Sequence, residues 1–163
     1  MKAVYFLVIV LLLASCQKDD ECTKSVSSSV WTSLNQVQLQ SDIAAIDAYL
    51  FAHSITAMEH ESGLRYVITQ NGVGSPPSCL EKTVSVTYSG KLLTTGVEFD
   101  FSTTPISFPL NKLIAGWKIG IPLMNKGAKA TLYIPSGLAY GNQAIGDIPA
   151  NSNLIFEVTL VDY

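Results

Sequence analysis

The sequence predicts an α+β fold: an antiparallel β-sheet, curved as a half-barrel, wrapped around one short α-helix and preceded by an N-terminal helical leader. Three observations carry this expectation. Six stretches read as strands, the clearest alternating apolar and polar residues at period two. Their connections are short, and the one helical stretch among them, Asn111 to Trp117, is long enough for only a turn or two. Finally, 163 residues give room for one ordinary domain with a true core and a short appended segment.

The first element is a targeting segment. Lys2 precedes an apolar run from Ala3 to Ala14, and the small residues Ala14 and Ser15 stand just before Cys16. Residues 1–15 therefore read as a secretory signal, since a membrane-spanning helix needs about 20 apolar residues to cross roughly 30 Å. The segment "LASC", Leu13 to Cys16, resembles the lipobox of bacterial lipoproteins. That resemblance implies a mature chain beginning at Cys16, with lipid on its thiol and its new amino terminus. Two or more acyl chains make a lasting membrane anchor.

The next residues, "QKDDE" from Gln17 to Glu21, are similar to a lipoprotein export signal of one group of Gram-negative bacteria. The same residues equally suit a solvated spacer beside a bilayer. The expected location is the cell envelope, lipid-anchored at the outer membrane, on its periplasmic or its outer surface. Cys22 and Cys79 then remain as an even pair in an oxidising compartment. They form a candidate disulfide, with two separate thiols as the alternative.

Residues 16–40 read as a Ser-rich tether that becomes ordered. Residues 41–80 read as a helical leader and first strand: Ile43, Ile46 and Leu50 recur at helical spacing from Asp42 to Phe51, with Ser41 or Asp42 as the cap. "SGLRYVITQNGVG" follows, placing Leu64, Tyr66 and Ile68 on one strand face before an Asn71-Gly72 turn. Residues 81–163 hold the main domain. Its strands are "TVSVTYSG", Val97 to Phe101, Ile106 to Leu110, Ala128 to Ile134 and Leu154 to Val161. Val86, Tyr88, Phe99, Phe108, Leu132, Phe156 and Val158 are the expected core face.

Composition excludes several functions. A formal net charge of −3 offers no basic patch, so no nucleic-acid partner is expected. His53 and His60 are the only histidines, and "EHE", Glu59 to Glu61, lacks the spacing that puts ligands on one helical face; no metal and no cofactor are expected. Neither a Gly-rich phosphate loop after a strand nor a G-x-S-x-G nucleophile elbow occurs.

The remaining motifs are "VTYSGKLLTTGVEFD" (Val86 to Asp100), "FPLNKLIAGW" (Phe108 to Trp117), "IPSGLAYG" (Ile134 to Gly141) and "IPANSNLIFEVTLVDY" (Ile148 to Tyr163). In order and spacing they resemble the FK506-binding-protein type of peptidyl-prolyl cis-trans isomerase, over about Lys82 to Tyr163. The segment before them resembles the leader of many bacterial members. This implies an enzyme that rotates X-Pro bonds in extracytoplasmic polypeptides. The alternative is a non-catalytic binding module of the same fold, an accessory lipoprotein of an envelope assembly.

Residue by residue, the resemblance puts Tyr88 at the pocket wall, Phe99 and Asp100 at its side, and Leu113 and Ile114 on the short helix. Trp117 is the floor, Tyr140 and Ile148 the rim, and Phe156 the backing. The Ile114 N–H and Tyr140 hydroxyl would hold substrate carbonyls, and Asp100 would be a buried acceptor for the Tyr88 hydroxyl rather than an acid–base group. Partners are proline-containing polypeptides and, through acylated Cys16, a bilayer. The chain departs from the family at Phe101, in the short loop to Pro105, at Ile106 where many members carry an aromatic pocket residue, and in a shorter loop after Tyr140. These departures imply a smaller or less aromatic pocket, with only weak macrolide binding.

Overall fold

The computed structural model describes residues 22–163. The signal segment, Cys16 and the charged run lie outside the described residues. Two helices come first, α1 (Ser29–Thr32) and α2 (Gln36–Ala52). The strands are β1 (Met58–Glu59), β2 (Arg65–Gln70), β3 (Thr83–Leu92), β4 (Glu98–Pro109), β5 (Lys129–Ile134) and β6 (Leu154–Asp162), with α3 (Ala115–Gly120) between β4 and β5. They form one antiparallel sheet in the order β1-β2-β5-β6-β3-β4.

Period-two alternation divides the side chains between two faces. Val84, Val86, Ala130, Leu132, Phe156 and Val158 belong to the main core, over which α3 lies. The approach of α3 depends on Gly116 and Gly120, one helical turn apart. A Cβ on Gly116 would lie 2.5 Å from Ile134 Cγ2, and one on Gly120 would lie 2.7 Å from Leu132 Cδ1. Any larger residue would lift the helix off β5.

The opposite face is covered at one end only. There Tyr133, Ile155 and Leu93 emerge, and α2 buries Ile46 and Leu50 against them. Arg65 on β2 locks the same helix in place, with Nε and Nη2 donating to the two oxygens of Asp47 at 2.9 and 3.1 Å. Such bidentate geometry gives direction as well as attraction.

The leader is more ordered than its sequence suggests. Helix α2 starts six residues before the expected Asp42, because Asn35 is the cap: its Oδ1 accepts from the N–H groups of Val37 and Gln38. Residues 36–40, Gln-Val-Gln-Leu-Gln, alternate at period two rather than at helical spacing, so the pattern conceals this first turn. Trp31 on α1 joins the main core, within the stretch read as tether. Cys22 and Cys79 are bridged, and the Leu80 N–H donates to Thr23 O beside them. Closing so long a loop restricts the unfolded chain by about 4 kcal/mol on a chain-entropy argument.

Two expectations about the strands change. Val97 to Phe101 and Ile106 to Leu110 are parts of one strand, β4, without an intervening loop. Pro105 is tolerated because β4 is an edge strand with an irregular register there. Asn71-Gly72 closes no hairpin; β2 pairs with β5, and Val73 bridges Lys126 just beyond.

Candidate functional site

A cleft of about 190 Å³ opens between β3, β4, α3 and the segment after β5. Its lining is Tyr88, Phe99, Asp100, Phe108, Leu113, Ile114, Trp117, Tyr140 and Phe156. Trp117 is the best-buried residue of this set together with Phe156, each 4% exposed. The Trp117 ring meets Tyr88 and Phe156 edge-on, at centroid distances of 5.4 and 5.2 Å. Phe99 meets Phe156 in the same way at 5.6 Å. Such T-shaped contacts align ring edges with π-faces and fix the rings relative to one another.

A bulge explains how consecutive residues reach the same cleft. Gly90 pairs with Asp100 and Lys91 with Glu98, so Phe99 is an extra residue in β4. Strict alternation would have sent Phe99 and Asp100 to opposite faces. Gly90 leaves room for the result: a Cβ there would lie 2.7 Å from Phe156 Cε1 and 2.9 Å from Phe99 Cε2.

The polar groups sit at the mouth. The Tyr88 hydroxyl donates to Asp100 Oδ2 at 2.7 Å. Burial, followed by the bond to Asp100 and its negative charge, pushes the Tyr88 phenol up to about 12. Burial, then the Asp100 charge, also raises Tyr140. Both phenols remain donors at neutral pH. Asp100 is the Tyr88 acceptor that the motif suggests, but it is exposed to solvent rather than buried. Among the described residues the Ile114 N–H has no hydrogen-bond partner, because the chain turns into α3 just after it. The Trp117 Nε1 is also buried without one, so its position uses the area of the indole rather than its hydrogen bond.

Eight of the ten pocket residues expected from the motifs meet in this cleft. Ile106 does not: it lies beyond a second register break, between Val86 and Tyr88, and is 41% exposed. Ile148 is 5% exposed in the main core rather than on the rim, held there by paired bonds between its backbone and that of Ile145. Phe108, expected in the core, lines the cleft instead. Its alternation with Leu110 marks it as inward-facing but does not tell cleft from core. His60 is held by Ser62 and His53 stacks on Tyr49, both away from the cleft. A larger hollow of about 370 Å³ lies between α2 and residues 136–151, without an aromatic floor.

An antiparallel sheet clasping a short helix, with an aromatic cleft between the helix and strands β3, β4 and β6, defines a class of small α+β domains with a concave apolar site. The profile of the FKBP-type peptidyl-prolyl cis-trans isomerase family matches residues 77–161. The chain belongs to that family. It is 44% identical over 104 residues to the FKBP-type peptidyl-prolyl cis-trans isomerase FkpA of Aeromonas hydrophila, covering 62% of this chain and 38% of that protein. To FkpA of Escherichia coli it is 41% identical over 115 residues, covering 69% and 42%. The match thus spans about two fifths of the length of these relatives.

Solved structures agree. The crystal structure of Escherichia coli FkpA superposes with a TM-score of 0.66 at 36% identity, over 78% of this chain and 63% of that one. A peptidyl-prolyl cis-trans isomerase from Pseudomonas syringae pv. tomato superposes with a TM-score of 0.65 at 30% identity, over 79% and 95%.

Proposed function

We propose that this protein is a peptidyl-prolyl cis-trans isomerase that works on extracytoplasmic polypeptides from a lipid anchor. The observation that carries the reading is the Trp117-floored cleft, with five further aromatic rings around it and the Tyr88–Asp100 bond at its mouth. Rotation about a peptide bond faces a barrier of about 18–20 kcal/mol from amide resonance, and an X-Pro bond isomerises over tens of seconds or longer. No bond needs to break. Twisting the amide removes its resonance dipole, so a dry apolar cleft disfavours the planar ground state more than the twisted state. The prolyl ring lies on Trp117, while the Ile114 N–H and the Tyr140 hydroxyl orient carbonyls beside it. A differential of ~4 kcal/mol gives about a thousandfold acceleration.

The size of the cleft supports a prolyl residue over a large ligand. Pockets that enclose drug-sized molecules run to roughly 300–1,000 Å³, against about 190 Å³ here. Macrolide binding is accordingly weak. A second reading, a module that holds a prolyl segment without turnover, is favoured by one observation: no residue of β4 between Asp100 and Phe108 lines the cleft.

A proline-tetrapeptide isomerisation assay separates the two. Wild-type protein accelerates exchange, and Phe99→Ala or Asp100→Ala reduces the acceleration; wild-type activity no greater than that of the variants leaves only the binding module. The anchor is Cys16, acylated in the mature envelope protein, and the charged run Gln17 to Glu21 favours display on the outer surface. Cys16→Ser should release the protein from membranes. Protease treatment of intact cells should remove a surface-displayed protein and spare a periplasmic one.

A further inference from the structure

We propose that Asp42 is a positioning residue for the loop that carries Tyr140, which makes the leader helix part of the isomerase; the proposal rests on the isomerase reading above. The core-facing stripe of α2 is Leu39, Asp42, Ile46 and Leu50, and Asp42 is only 3% exposed. A carboxylate on such a stripe is costly unless its oxygens are bonded. Oδ2 accepts from the Ser136 N–H at 3.0 Å and the Ser136 hydroxyl at 2.6 Å, while Oδ1 accepts from Gln38 Nε2 at 2.8 Å. Asp42 takes part in none of the ion pairs among the described residues.

The same cluster holds the other end of the loop. Asn153 Oδ1 shares the Ser136 N–H at 3.0 Å, and Asn153 Nδ2 donates to the backbone oxygen of Asp42 at 3.3 Å. Ser136 and Asn153 bracket the whole segment between β5 and β6 that passes through Tyr140. From Ser136 the bonds continue toward the cleft: the Gly141 N–H donates to Ser136 O at 2.8 Å, and the Asn151 N–H donates to Gly141 O at 2.7 Å. Asp42 thus reaches the neighbour of Tyr140 through Ser136, with Asn153 holding the return strand in register.

An apolar residue would fill this position on α2 without demanding a particular partner. A satisfied buried carboxylate demands one arrangement, because any shift of Ser136 leaves it unpaired. The hollow of about 370 Å³ borders Asp42, Ser136 and Gly141, so the loop base has space to move once the clamp is cut.

The test is Asp42→Asn in wild-type and Tyr140→Ala backgrounds, with Ile46→Val as a control that loosens α2 elsewhere. Isomerisation of a proline tetrapeptide and amide hydrogen exchange are read on each. Clamping predicts about a tenfold loss of kcat/KM in the wild-type background but less than about twofold on top of Tyr140→Ala, since the two residues act in series. Exchange at Gly141 and Asn151 should quicken about tenfold or more while Leu132 in β5 is unchanged. Ser136→Ala, which removes one bond and keeps the carboxylate, should show a smaller loss of the same kind should Asp42→Asn not fold. Equal losses in both backgrounds, a loss matched by Ile46→Val, or unchanged exchange would overturn the proposal. A wild type without isomerase activity would remove the isomerase reading, and exchange at Gly141 and Asn151 would then decide the clamp alone.

Discussion

The two faces of the sheet are made by the same strands and serve different ends. On the concave face, Val86, Tyr88, Leu132, Phe156 and Val158 pack under α3 and line the cleft. On the convex face the alternate residues include Thr87, Ser89, Thr131, Glu157 and Thr159, left to solvent except where α2 covers Tyr133 and Ile155. Each face should therefore respond to damage in its own way. Changes where α2 packs on Tyr133 and Ile155 should cost stability with little effect on the cleft, the Asp42 clamp being the link from this helix to the Tyr140 loop, and changes at the cleft should cost activity first.

The largest expected effect is Ile46→Ala. It empties a fully buried site beneath α2 and should lower unfolding free energy by about 2–5 kcal/mol. Urea melts measure the loss, and the folded fraction should keep its tetrapeptide activity to within about twofold, because Ile46 touches the convex cluster alone. A collapse of activity in the folded fraction would show that the Ile46 end of α2 is coupled to the cleft as well. Gly90→Ala is the complementary case. The new methyl collides with Phe156 and Phe99, which should cost about 1–3 kcal/mol and displace the aromatic wall. Activity should fall about tenfold or more at temperatures where the variant remains folded.

A pH titration sharpens the contrast further. Tyr88 ionises near 12 in the folded protein, above the ~10 of an unfolded tyrosine. Its contribution to stability is therefore complete below pH 10 and lost as pH rises through 12. The phenolate absorbance of Tyr88, taken as wild type minus Tyr88→Phe, should appear only at the upper end of that window. Smallest of all is Thr131→Ser on the convex face, expected within about ±0.5 kcal/mol and without effect on turnover.

Much of this was legible in the residues. The strands and the short helix follow from alternation and length, and the family-like motifs gather eight cleft residues from four separate stretches. What escaped did so for physical reasons. Asp42 reads as a cap because Asp before an apolar period is a helix-start signal, whereas the structure buries it in the middle of α2. "STTP", Ser102 to Pro105, has loop composition, yet an edge strand with a register break absorbs it. That break leaves Ile106 outside the cleft. Alternation could not place Phe99 and Asp100 together, since a bulge suspends the period of two. Ile148 lies in the core instead of on the rim because a bridge within its own loop turns it inward.

In the proposed mechanism a dry aromatic cleft accelerates prolyl rotation without proton transfer. The most direct measurement is tetrapeptide isomerisation by wild type and Asp100→Asn in H₂O and D₂O. Wild type should accelerate exchange clearly and at a nearly equal rate in the two solvents, and Asp100→Asn should keep a substantial share of the activity. No acceleration, or a marked solvent isotope effect that vanishes in Asp100→Asn, would contradict that mechanism.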